Sequence, residues 1–161
     1  MSKKANHTNA TLHKKAVVSL ADGERIGEVD DLLIDPVTLR FAALVIKGDN
    51  GQSLLPREHI KVVGEDAITI ESVSATQSGP NSLPGLQSFS ELSGNKVVDS
   101  QGTLIGHLHD FEIDSKTGDI ASLDVHSGGV LGLGAHSHHV PASAICSIGP
   151  ELITVTASNK K

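Results

Sequence analysis

The 161-residue sequence predicts an all-β fold built as two tandem small barrels with short 3₁₀ or helical turns. Three observations carry this expectation. A block near the start recurs near the end, the apolar runs are short, and the corners between them are rich in Gly, Pro and Asp. Residues 23–46 match residues 102–125 at an offset of 79, with nine of 24 positions identical. The identities include Gly23/Gly102, Gly27/Gly106, Asp31/Asp110 and Asp35/Asp114. Residues 56–70 match 141–155 at an offset of 85, with five of 15 identical. The difference of six residues (85 minus 79) falls in the second copy, within Ser127–Val140.

The elements follow in order. Residues 1–10 are basic and lack an apolar stretch, so they read as a flexible tail and not as a secretory signal. A first unit spans 11–71. Val17 and Val18 open a strand that ends in a turn at Gly23, matched by Val97, Val98 and Gly102. The next strand runs from Arg25 to Ile34, or Leu104 to Ile113, and its alternation breaks at Asp30-Asp31 and His109-Asp110, where a β-bulge is expected. Gly27 and Gly106 inside it signal bending or close backbone approach. Asp35 and Asp114, each followed three residues later by Thr, read as hairpin turns whose carboxylates accept from the backbone; the acids are too few for a calcium loop. Third strands cover Phe41–Lys47 and Ile120–His126, and fourth strands Gln52–Leu55 and His136–Val140. Pro56 and Pro141 each begin a single helical or 3₁₀ turn. Last strands are Ala67–Ile70 and Leu152–Thr156. Residues 72–91 form a Ser/Gly/Pro-rich linker, 92–157 the second unit, and 158–161 a tail. A unit of about 60 residues is marginal alone, so the two are expected to pack together or on a partner subunit.

Composition narrows the function. Lys plus Arg is 13 and Asp plus Glu 19, for a net charge of −6, which disfavours direct nucleic-acid or anionic-membrane binding. Phe41, Phe89 and Phe111 are the only aromatics, too few for a base-stacking platform. Cys146 is the sole cysteine, so no intrachain disulfide forms; beside Ile145 it reads as buried packing. The longest apolar run, Phe41–Ile46, falls far short of the roughly 20 residues of a membrane span. A cytoplasmic protein is expected.

No catalytic or cofactor-binding residue stands out. There is no G-x-S-x-G elbow and no H-E-x-x-H, and Gly128–Gly134 lacks the Lys-Ser/Thr of a phosphate loop. That stretch reads as a hairpin, with Val130, Leu131 and Leu133 free to dock on another protein or to cover the end of their own barrel. Histidine is the exception. Six of nine lie in the second unit: His107, His109, His126, His136, His138 and His139. Alternation puts His107 with His109, and His136 with His138, on common faces. Two readings stay open: solvent-facing polar positions, or a metal or pH-responsive site for Zn, Ni or Cu with Asp110 or Asp124 adding an oxygen. Copy one carries Glu28 and Asp30 in place of His107 and His109.

Residues 102–145 hold G-x-x-x-G, a strand into D-x-x-x-G, a hydrophobic strand, a Gly-Gly-hydrophobic-Leu-Gly hairpin, then Val-Pro and a short turn. This layout resembles the PRC-barrel family, which includes the cytoplasmic domain of the photosynthetic reaction-centre H subunit and the C-terminal barrel of the ribosome-maturation factor RimM. Copy one keeps GERIGEVDDLLID and LPREHI but lacks the Gly-rich hairpin. The resemblance implies a non-enzymatic protein-interaction, adaptor or assembly module. Its partners would be another protein or a second copy in a homodimer, with peripheral association to a membrane complex also in range. Histidine-based metal binding or sensing is the alternative, and a RimM-like role in ribosome or RNA processing a weaker one.

Overall fold

The computed structural model describes residues 6–49, 51–78, 85–128 and 136–157. The first unit contains β1 (His7–Thr8), α1 (Asn9–Leu12), β2 (Ala16–Ser19), β3 (Arg25–Asp35), β4 (Arg40–Gly48), β5 (Gly51–Pro56), β6 (Ile60–Val63), β7 (Ala67–Ile70) and β8 (Gln77–Ser78). The second contains β9 (Gln87–Ser88), α2 (Phe89–Leu92), β10 (Lys96–Asp99), β11 (Leu104–Ile113), β12 (Ile120–Ser127), β13 (His136–Pro141), β14 (Ile145–Ile148) and β15 (Leu152–Val155). One sheet has the order β6-β7-β2-β3-β4-β5-β8, the other β13-β12-β11-β10-β15-β14. In each, the first and last main strands pair in parallel, β2 with β7 and β10 with β15. Strands β5 and β6, like β13 and β14, are joined by a three-residue 3₁₀ turn, Arg57–His59 or Ala142–Ala144. So short a link brings strands from opposite sides of each path together, and the sheet curls on itself.

The repeated residues shape this path. The register slips between Val29 and Asp31 and between Leu108 and Asp110, a bulge at the same place in both long strands. Gly27 and Gly106 sit within β3 and β11, not in turns. A Cβ there would collide with the carbonyl of Lys47 or of His126, so the neighbouring strand approaches too closely for any side chain. Gly23 and Gly102 adopt φ of 73° and 85° at the turns after β2 and β10, a conformation open to glycine at little cost. Asp35 accepts from the backbone of Val37 and Thr38, and Asp114 from Lys116 and Thr117. Those N–H groups favour the ionised carboxylates and lower both pKa values.

The halves are not independent. Strand β1 pairs with β11 of the second unit, and β9 pairs with β3 of the first. Each four-residue helix then begins against the other unit's repeated aspartate. Asp110 accepts from the backbone N–H of Asn9 and Ala10 at 2.8 and 3.0 Å, and Asp31 accepts from Ser90 N–H and Oγ at 3.1 and 2.6 Å. Helices this short do not persist alone; here their open N–H groups are capped from across the seam. Residues 7–10 therefore belong to the fold and not to a flexible tail, because their backbone bonds are made in the partner unit. Within 72–91, read as linker, lie β8, β9, a 3₁₀ turn at Val73–Ala75 and the start of α2.

Packing is shared in the same way. A single buried cluster joins Leu12, Val17, Leu44 and Ile68 to Leu92, Leu108, Phe111 and Ile153. Phe89 meets Phe111 edge to face at 5.9 Å. Near the pseudo-twofold axis the equivalent positions 40 and 119 face one another, and Arg40 Nε lies 2.8 Å from Asp119 Oδ1. Two identical copies would place like charges there. Cys146 is exposed, contrary to the expectation of buried packing. It lies on the end strand β14, where Ile148 turns inward and Cys146 and Ser147 turn out.

Asp110→Ala leaves the part-buried N–H groups of Asn9 and Ala10 and the buried one of Phe111 without that acceptor and is expected to cost about 1–3 kcal/mol. Urea unfolding measures it, with Asp31→Ala, whose bonds are more exposed, costing less.

Candidate functional site

The outer faces of the two units differ in a way that locates the polar chemistry. In the first unit Leu33, Ala43, Val45 and Leu54 make a small second apolar cluster, with Leu86 from the connecting segment packed on it. The offsets of the repeat place Glu112, Ser122, Asp124 and His139 at these positions in the second unit. The first outer face is apolar and carries Leu86; the second is polar, with Glu112, Ser122 and Asp124 half-buried and Asn6 donating to Glu112 at 3.3 Å.

On that polar face three donors converge. His109 is the extra residue of the β11 bulge, since the register passes from Leu108 opposite Val125 to Asp110 opposite Asp124. A bulge re-aims a side chain, and here the His109 ring lies over that of His126, with centroids 3.9 Å apart and planes inclined by 12°. His126 Nε2 is 3.5 Å from Asp124 Oδ1. Nitrogen and carboxylate atoms of His109, Asp124 and His126 all lie within 4.8 Å of one another. Ser137 on β13 donates to Asp124 Oδ1 at 3.1 Å and orients the carboxylate.

The other histidines divide. His107 is opposite Lys96 and lines a shallow depression with Asn95 and Glu151, outside the three-donor group. His139 pairs with Asp124 and shares its face. His136 and His138 lie on the reverse face of β13, with rings 6.4 Å apart and His138 Nε2 3.0 Å from Ser127 Oγ. Asp110 is turned away from the histidines and spent on capping α1. The residues Val130, Leu131 and Leu133 lie outside the described residues. No signal in the sequence singles out His109 from His107, because the choice depends on which residue the bulge leaves unpaired.

A groove of about 750 Å³ follows the seam between the units, lined by His7, Lys15, Arg57, Lys61 and Asp114 among others. Three of its cations are engaged: Lys15 donates to the Gly64 carbonyl, Arg57 to that of Thr117, and Lys61 pairs with Glu71. Burial, with the nearby Lys15 charge, lowers the His7 pKa.

These features define a duplicated small-barrel protein of the all-β class, with exchanged entry strands and a histidine-bearing face on one copy. The PRC-barrel domain matches residues 9–77 and again 85–161, and the chain belongs to the PRC-barrel family. No curated protein matches the chain by sequence. Among the described residues no helix is long and apolar enough to cross a membrane.

The lowered His7 pKa predicts a pH effect on the exchange of β1. The neutral ring is favoured in the fold, so its contribution is complete above the ordinary value of 6.5 and is lost as pH falls through the lowered folded value. Thermal midpoints recorded across this range should fall toward acid, and His7→Gln should flatten part of that slope.

Proposed function

We propose that the protein is a non-enzymatic interaction module and that β13 is the strand on which a partner protein docks. The supporting observation is an asymmetry between equivalent edges. In the first unit β5 has β4 on one side and β8 on the other, with Ser53 opposite Ser78 and Leu54 opposite Gln77. In the second unit β13 has β12 on one side, and among the described residues no strand pairs its other side. The positions equivalent to Ser53 and Leu54 are His138 and His139, both exposed.

An open edge presents a row of unpaired N–H and C=O groups that an extended segment can complete. The first unit already contains the answering geometry, a short polar strand laid antiparallel on β5. The partner of β13 is accordingly an extended polar segment of another protein, bound mainly through its backbone. The adaptor role implied by the family agrees with this reading. We place the module in the cytoplasm, free or at the periphery of a membrane complex.

Hydrogen exchange tests the proposal. Amides of residues 136–140 on the open side of β13 should exchange quickly in the free chain and slow when a purified binding protein is added. Protection confined to other strands would overturn the choice of edge. Sizing over a concentration range reads the second-copy case: a mass that doubles, together with β13 protection, makes the partner a homodimer mate, and an unchanged monomer mass excludes it.

A further inference from the structure

We infer that His109, Asp124 and His126 form a binding site for a divalent transition-metal ion, with zinc the best fit. The donor set is two imidazoles and one carboxylate; the two borderline imidazoles suit zinc, nickel and copper, whereas the hard cations call for oxygen ligands throughout. Zinc–ligand distances of about 2.0–2.1 Å in a tetrahedral shell put neighbouring donor atoms roughly 3.3 Å apart. The His126 Nε2 to Asp124 Oδ1 separation of 3.5 Å is already close to that span. All three donors come within 4.8 Å without an ion between them.

The stacked imidazoles must fan apart so that both in-plane lone pairs meet at one point. Nothing buried opposes this movement, since His109 and His126 are both exposed. The acceptor side is prepared, because Ser137 holds the Asp124 carboxylate from the adjoining strand. Three protein donors leave a further position to water, and the exposed face gives the ion a path in.

Comparison within the chain sharpens the assignment. The first unit carries Asp30, Val45 and Lys47 at the positions of His109, Asp124 and His126. A lysine ammonium there repels a cation, and the valine joins the covered apolar cluster. The donor set thus accompanies the polar face and is absent from its apolar twin. Because β12 carries two donors and β13 orients one of them, the ion would also fasten the outermost strand of the sheet.

Calorimetric titration of the full untagged chain with Zn²⁺ alone tests the site. One equivalent should bind, and the thermal midpoint should rise with free zinc. His109→Ala/His126→Ala should abolish that equivalent, and Asp124→Asn should weaken it by at least about tenfold. His136→Ala/His138→Ala should bind as the parent does. Absence of zinc binding by the parent, retention of the equivalent in the His109/His126 variant, or its loss in the His136/His138 variant would each overturn the assignment. Circular dichroism of the variants, at exposed histidines and at the half-buried Asp124, separates ligand loss from unfolding.

Discussion

The architecture depends on two buried or half-buried carboxylates that serve the opposite half of the molecule. Asp31 and Asp110 sit at the bulges of the long strands and cap helices that belong to the other repeat. A helix of four residues has almost all of its N–H groups unpaired at one end. Supplying an acceptor from the second unit makes formation of that helix conditional on assembly of both. The same contact seats β1 and β9 beside β11 and β3, and the hydrophobic cluster closes around them. Two units of marginal size thereby share one core.

Duplication within one chain also permits differences that two identical copies could not hold. Arg40 and Asp119 occupy equivalent positions and face each other, so opposite charges meet where symmetry would set like against like. Both side chains are partly exposed, and the pair is worth little in energy. Its value is in orientation. The larger divergence is on the outer faces. Where Leu86 of the connecting segment packs on the first sheet, the residues are Leu, Ala and Val; the second sheet has Glu, Ser, Asp and His in their places, with Asn6 donating to the Glu.

The proposed metal site and the proposed docking edge both fall on the second unit. Its histidine face adjoins β13, on which no second strand pairs among the described residues, through the bond from Ser137 of β13 to Asp124 of β12. In the first unit the equivalent edge is completed by Gln77 and Ser78. A metal at one location and a docked strand at the other would bear on the same peripheral strand, which gives the module a physical route for coupling the two.

Much of the fold was legible in residue order. Repetition of Gly27/Gly106 and Asp31/Asp110 marks the close approach and the bulge, and Pro56/Pro141 mark the turns that join the ends of each sheet path. These are local effects of backbone geometry, so a linear reading captures them. The histidine site was legible only as a composition. Six candidates were apparent, but selection of His109 and His126 required the register, and rejection of Asp110 required the helix it caps. Residues 7–10 and 85–92 carry no local signal of their role, because their hydrogen-bond partners lie in the other unit, 100 residues away for Ala10 and 59 for Ser90. Residue order establishes that a small β unit occurs twice; the exchange of entry segments, and which edge has no second strand among the described residues, emerge only in three dimensions, since both depend on what the chain lays against them in space.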